Sequence, residues 1–303
     1  MTRIAYFNGK FVPETEVLIP YRDRSFNRGD GCFDMTRTFD GRIFRLAEHV
    51  ERLYRSLRYL RIDIGLEPKE LIAISEEVVL RNEPLRAAAG DWWVAQRVSR
   101  GVDAIGDEGW AHTGPQVIVD CTPLPLKARA AHFRDGIDVV VPSIRRTPPS
   151  TLSPRAKTHN YLNLILADRE VKTAQPQAWS VLLDENGNLC EGVGSNIFVV
   201  RDERVATPRE QYVLPGVSRR TVMELGARLG LAVEERDLDV YDAITADEVF
   251  LTSTSLCVCA VRSVNGHVIG DGRVPGPVTR RITQAYIEHV GTDFVAQHLS
   301  RLG

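Results

Sequence analysis

The chain has 303 residues, 38 Lys plus Arg against 40 Asp plus Glu, 43% hydrophobic and 26% charged residues. That composition carries enough apolar surface to offset chain entropy, which excludes disorder and low-complexity repeats, and the near-neutral charge argues against a dedicated nucleic-acid binder. No stretch reaches the ~18 apolar residues of a membrane helix, no apolar leader opens the chain, and five scattered cysteines suit reduced thiols, so a cytoplasmic protein is expected.

In chain order, Asn8-Gly9 and Asp40-Gly41 each separate strand-like runs. Both central positions of a type I′ turn need φ > 0, which Asn, Asp and Gly tolerate, so these are hairpin signals. Leu46, Val50, Leu53, Leu57 and Leu60 follow a 4, 3, 4, 3 spacing that predicts an amphipathic helix, and 68–80 reads as a second. A strand over 117–119 leads to Thr122-Pro123-Leu124-Pro125-Leu126-Lys127, which breaks regular structure before a strand over 137–141. A helix is expected over 161–172, a strand over 181–183, a hairpin turn at Asn186-Gly187 and a strand over 197–200. A helix over 218–229 follows a Pro-Gly turn. Strands over 249–251 and 258–261, a turn at Asn265-Gly266 and a helix over 282–290 complete the chain. Cys257 and Cys259 fit alternate positions of a strand better than a metal or redox pair, and no metal site is expected. Strands and helices mix without strict βαβ alternation, which predicts an α+β fold. The expected division is a small N-terminal domain over 1–121, a linker over 122–133 and a larger C-terminal domain over 134–303.

Only five of the 38 basic residues are lysines: 10, 69, 127, 157 and 172. Lys157 differs in context. It follows the stiff run Pro148-Pro149…Pro154 and precedes an apolar helix, a setting for a Schiff-base amine or for a solvated surface lysine. Glu191-Gly192-Val193-Gly194-Ser195-Asn196 places a carboxylate beside permissive backbone. Leu214-Pro215-Gly216-Val217-Ser218-Arg219-Arg220 delivers a helix N-terminus with adjacent arginines, a candidate anion site. Thr252-Ser253-Thr254-Ser255 puts hydroxyls at a strand end. Arg52 flanks the apolar stripe of its helix and can reach inward to an anion. A lysine, a carboxylate, two anion-binding backbone ends and an inward arginine fit a phosphate-bearing aldehyde cofactor such as pyridoxal 5′-phosphate.

The order and spelling of these motifs resemble the fold type IV pyridoxal-phosphate enzymes: D-amino-acid and branched-chain aminotransferases, (R)-amine transaminases and aminodeoxychorismate lyases. The resemblance rests on Arg28-Gly29-Asp30-Gly31-Cys32-Phe33-Asp34, Glu48-His49-Val50-Glu51-Arg52-Leu53, Ser99-Arg100-Gly101, Ala156-Lys157-Thr158-His159-Asn160, Glu191 to Ile197, Leu214 to Arg219 and Ser253-Thr254-Ser255. It implies that Lys157 forms the Schiff base and shuttles the proton, and that Glu191 pairs with the pyridine nitrogen. It assigns the phosphate to Arg52, Val217, Ser218 and Thr254. It implies a transaminase working by ping-pong half-reactions between an amino donor and a 2-oxo acid, assembled as a homodimer. Tyr161 stands four residues after Lys157, one short of the branched-chain spacing, so its cofactor role stays open. Candidate substrate residues are Phe33, Arg37, Trp93, Arg100, Ser253 and Ser255. The Gly-Asp-Gly, Lys-x-x-Asn and Thr-Ser-Thr spellings lean towards D-amino-acid or (R)-amine donors over L-branched-chain amino acids. A lyase acting on aminodeoxychorismate and a non-catalytic ligand-binding protein are the alternatives.

Overall fold

A computed structural model describes residues 2–106 and 111–302. The chain forms two compact units, one of residues 1–124 with 156–160, the other of residues 125–155 with 161–303.

The first unit contains strands β1 (Ile4–Phe7) and β2 (Lys10–Pro13), helix α1 (Arg24–Arg28), strands β3 (Gly31–Phe39) and β4 (Arg42–Ile43), helices α2 (Leu46–Leu60) and α3 (Pro68–Ala89), and strands β5 (Trp92–Ser99) and β6 (Gln116–Pro123). Its sheet is antiparallel in the order β2-β1-β6-β5-β3-β4. The turns at Asn8-Gly9 and Asp40-Gly41 have positive φ at both residues, as the hairpin reading requires. Strand alternation divides the sheet faces. Cys32, Val94, Val98, Val119 and Cys121 point into a core with Leu46, Val50, Leu53 and Leu57 of α2 and Leu71 and Val78 of α3. Each of these four α2 side chains is at most 6% exposed, a burial worth about 1.5–3 kcal/mol apiece. The cross-strand pairs Phe33–Arg97, Met35–Ala95 and Arg37–Trp93 share the opposite face. Helix α3 runs past the predicted 68–80 to Ala89, started by a Glu67–Glu70 capping box and Pro68.

The second unit contains α4 (Leu126–Asp135), β7 (Ile137–Val140), α5 (Leu162–Ala174), β8 (Trp179–Ser180), β9 (Asn196–Arg201), β10 (Arg204–Thr207), α6 (Val217–Arg228), β11 (Val233–Glu235), α7 (Val240–Ile244), β12 (Glu248–Ser253), β13 (Cys257–Val264), β14 (His267–Val268), α8 (Pro277–Val290) and α9 (Phe294–Leu299). Its sheet is mixed, in the order β11-β10-β9-β12-β13-β7-β8, with β14 paired to β13. The division between the units, between Leu124 and Pro125, falls inside the expected 122–133 segment, which forms the end of β6 and α4, where Leu126 and Ala130 are buried one turn apart. The expected strand over 181–183 reduces to a single bridge, Leu183 to Leu189, and the Asn186-Gly187 turn is held by Asp184, whose carboxylate accepts the Asn186 and Asn188 N–H groups. Cys257 and Cys259 are buried free thiols on β13. Among the described residues no helix is long and apolar enough to cross a membrane.

Candidate active site

Residues 156–160 lie along the start of β3 in the first unit. The Phe33 N–H donates to the Lys157 carbonyl at 2.9 Å, the His159 N–H donates to the Gly31 carbonyl at 2.9 Å, and Cys32 bridges Thr158. A Cβ at Gly31 would collide with the Val98 carbonyl of β5 and with the His159 and Ser25 side chains, so glycine is needed where β3 passes β5 and the His159 ring. The Lys157 N–H donates to Ser56 Oγ at 3.1 Å, and Ser56 in turn donates to the Arg52 carbonyl at 3.1 Å. The backbone of Lys157 is thereby tied to α2. Its ammonium stands 4.7 Å from the centre of the Phe33 ring, and the Arg97 guanidinium lies 5.9 Å from the same ring. His159 stacks on Phe33 at 5.4 Å. Burial, with Arg97 adding to it, lowers His159 to about 4.

Arg52 does turn inward from α2. Its Nε and Nη2 donate to the two oxygens of Asp34 at 2.8 Å each, and His49 Nδ1 stands 2.7 Å from Asp34 Oδ1. Asp34 has no exposed surface and Arg52 is 3% exposed. Burial alone would raise the Asp34 carboxyl, but the Arg52 guanidinium and then His49 outweigh it and hold it well below the usual carboxylate range. Burial likewise keeps His49 below the ordinary imidazole range, against the pull of Asp34.

The second unit carries the carboxylate and the anion-binding ends. Glu191 ends a short bridge to Asn196, and the Gly192 N–H closes a turn onto the Ser195 carbonyl at 2.8 Å. Each carboxylate oxygen of Glu191 has a donor: Arg146 Nε on Oε1 at 3.0 Å and the Leu214 N–H on Oε2 at 2.9 Å. Helix α6 starts at Val217 after Gly216, and no side chain caps it. A Cβ at Gly216 would strike the Asn196 side-chain oxygen. Ser218 donates to the Ser253 carbonyl at 3.0 Å, joining the helix start to the Ser253–Ser255 turn. Ser253 Oγ accepts the Leu256 N–H at 3.1 Å, and Thr254 is the half-buried residue of that turn.

Several expected residues are placed elsewhere. Arg37, expected to bind a substrate carboxylate, is 1% exposed: it pairs with Asp91 at 4.0 Å, donates to the Thr38 carbonyl and lies over the Phe39 ring at 4.1 Å. Arg100, expected in the same role, pairs with Asp30 at 2.8 Å and donates to the carbonyls of Leu60 and Arg61. Both guanidiniums are committed to holding the fold. Arg219 pairs with Glu235 at 3.1 Å and donates to the Pro208 carbonyl, and Arg220 lies 3.9 Å from Glu224. Trp93 is half-buried on the Phe33 face of the first sheet. Tyr161 packs with Leu164, Ala167 and Leu182 in a small cluster of the second unit.

Four residues escape the sequence reading. Asp34 and His49 hold Arg52, and Arg146 holds Glu191. Arg129 of α4 donates to Ser255 Oγ and stacks over Trp179 at 5.2 Å. His49 and Arg52 stand three apart on one helix face beside a strand carboxylate, a sequence signal for a buried pair. Arg146 and Arg129 lie far along the chain from their partners and leave no such signal.

Residues 31–264 match the family model for amino-transferase class IV. A putative branched-chain-amino-acid aminotransferase from Methanocaldococcus jannaschii is 35% identical over 282 residues, covering 93% of this chain and 94% of that protein. The branched-chain-amino-acid aminotransferase of Escherichia coli K12 is 31% identical over 292 residues, covering 93% and 91%. The crystal structure of the E. coli branched-chain enzyme superposes with a TM-score of 0.87 at 30% identity, over 95% of this chain and 94% of that one. The T.th. branched-chain amino acid aminotransferase complexed with N-(5′-phosphopyridoxyl)-L-glutamate gives 0.84 at 30% identity, over 95% and 94%. The chain belongs to the class IV aminotransferases. It is a pyridoxal-phosphate-dependent enzyme of fold type IV, and its donor set fits that cofactor. The first unit offers a backbone-anchored amine and an inward guanidinium, and the second a twice-held carboxylate and an uncapped helix start with a hydroxyl, which are the residue types this cofactor needs.

Proposed function

We propose that the protein transfers the amino group of L-branched-chain amino acids to a 2-oxo acid. The observation that carries this reading is the named relatives: branched-chain enzymes 31–35% identical along more than nine-tenths of both chains. When bound, the cofactor supplies an electron sink for the pair left by the breaking Cα–H bond. Lys157 Nζ links the cofactor and then carries the proton from the substrate Cα. Glu191 holds a proton on the pyridine nitrogen, and Arg146 and the Leu214 N–H fix its carboxylate for that purpose. Arg52, the Val217 and Ser218 N–H groups, the Ser218 hydroxyl and Thr254 hold the phosphate. Phe33, Trp93 and the Ser253–Ser255 turn contact the substrate. The enzyme works as a homodimer, a reading supported by the exposed apolar run Leu18, Ile19, Tyr21 and Phe26. Five free cysteines suit a cytoplasmic setting.

The test is the visible absorption of the purified holoenzyme before and after adding L-leucine, D-alanine or (R)-1-phenylethylamine separately. Loss of the bound-cofactor band with L-leucine alone is expected. Loss with D-alanine or the (R)-amine alone overturns the donor and restores the D-amino-acid or (R)-amine reading. Pyruvate released from aminodeoxychorismate without any amino acceptor makes the enzyme a lyase.

A further inference from the structure

Asp34 is the costliest kind of side chain to place where it stands. It lies on the helix-covered side of β3, fully buried, and four nitrogens surround it: Arg52 Nε and Nη2, His49 Nδ1 and the Met35 backbone N–H at 2.7 Å. Replacing such a buried pair by apolar residues is often neutral or stabilising, so fold stability does not by itself account for it. What the pair does supply is direction. A carboxylate gripping the Nε–Nη2 edge of a guanidinium fixes its plane and the way its other edge points. The charges of Asp34 and Arg52 cancel, so Arg52 acts as an oriented donor more than as a free cation. The same turn of α2 also sets the lysine, because Ser56 joins the Arg52 carbonyl to the Lys157 N–H.

We propose that Asp34, braced by His49, is a positioning residue for cofactor binding, holding Arg52 in the orientation from which its guanidinium meets the cofactor's phosphate. This rests on the reading of Arg52 as a phosphate residue. The experiment compares equilibrium binding of pyridoxal 5′-phosphate and of pyridoxal, which lacks the phosphate, to apoprotein. Asp34→Asn is expected to weaken pyridoxal-phosphate binding about tenfold, the scale seen for outer-shell partners of bound groups, while leaving pyridoxal binding unchanged. In an Arg52→Lys background, which cannot accept the two-point grip, Asp34→Asn is expected to add nothing. Equal losses for the two ligands would make Asp34 merely structural and overturn the proposal, as would an undiminished effect in the lysine background. If Arg52→Lys itself leaves the ratio of the two affinities unchanged, the phosphate role of Arg52 fails first, and the two failures are told apart. Should Asp34→Asn not fold, Asp34→Glu keeps the charge but moves the carboxylate by a methylene. It is expected to lower the same ratio, and an unchanged ratio in that variant overturns the proposal.

Discussion

Arg146→Met tests how the carboxylate of the second unit is held. Arg146 and Glu191 are 12% and 7% exposed and meet at 3.0 Å, and the Leu214 N–H donates to the other oxygen of that carboxylate at 2.9 Å. Methionine keeps the volume and removes the guanidinium, leaving a buried charge held by the Leu214 N–H. Removing one partner of a buried pair costs about 3–5 kcal/mol. The remaining solvent contact of Arg146 argues for the lower end, about 3 kcal/mol. In a unit of 150–250 residues each kcal/mol moves Tm by about 2–4 °C, so a drop of about 6–12 °C is expected. Glu191→Gln in the methionine background removes the stranded charge while keeping an acceptor for Leu214, and is expected to recover about 2 kcal/mol of that loss. Denaturant unfolding of the apoproteins, followed by circular dichroism, measures both steps. If single and double variants are equally stable, the pair is not electrostatically coupled and Arg146 does not hold Glu191 by charge.

Lys157→Ala should lower transamination at least about 10³-fold, since it removes both the covalent anchor and the proton carrier. Borohydride treatment followed by mass spectrometry should add the cofactor's mass, less one water and plus two hydrogens, to the native chain and not to the variant. His159 is lowered to about 4, chiefly by burial, against an ordinary 6.5. Between these values the unfolded chain binds the proton and the folded one does not, so this contribution is present above about pH 6.5 and lost as pH falls towards 4. His159→Gln should flatten the dependence of unfolding free energy on pH over that interval, and an unchanged slope would refute the assignment.

Local chemistry is legible where it involves neighbours in sequence. Three of the four two-residue turns are hairpins with positive φ at both positions, and the leucine spacing of α2 matches its buried face. Asn186-Gly187 is not such a turn: only Gly187 has positive φ, and the flanks pair by backbone hydrogen bonds between Asp184 and Asn188 and between Leu182 and residues 190 and 191, with the Asp184 carboxylate holding the N–H groups of Asn186 and Asn188 between them. The 122–133 segment contains the division between the units, but most of it is helix and not irregular chain. Its prolines at 123 and 125 signal a break, but Pro125 sits just before α4, where its missing N–H costs nothing. The lysine's placement is also hidden. The sequence reading puts it, near the middle of the chain, in the expected C-terminal domain over 134–303, whereas residues 156–160 join the first unit through β3.

The arginines show where sequence reasoning reaches its limit. Hydropathy tells which side of an element an arginine occupies, and for Arg52 that suffices: it flanks a buried stripe and points inward. It does not tell whether a carboxylate waits there. Arg52 meets Asp34 from 18 residues away, Arg146 meets Glu191 from 45, and Arg100 meets Asp30 from 70. Such pairs form only once the sheet has brought its strands together, and no local period encodes them. The consequence differs with position. Arg100 and Arg37 spread their donors over carboxylates and carbonyls of the surrounding fold. Asp34 instead takes Arg52 by its Nε–Nη2 edge with both oxygens, a two-point grip that sets the plane of the whole guanidinium. An inward arginine is therefore a site candidate according to whether its partners scatter its donors or aim them, a distinction that the fold sets and the sequence leaves open.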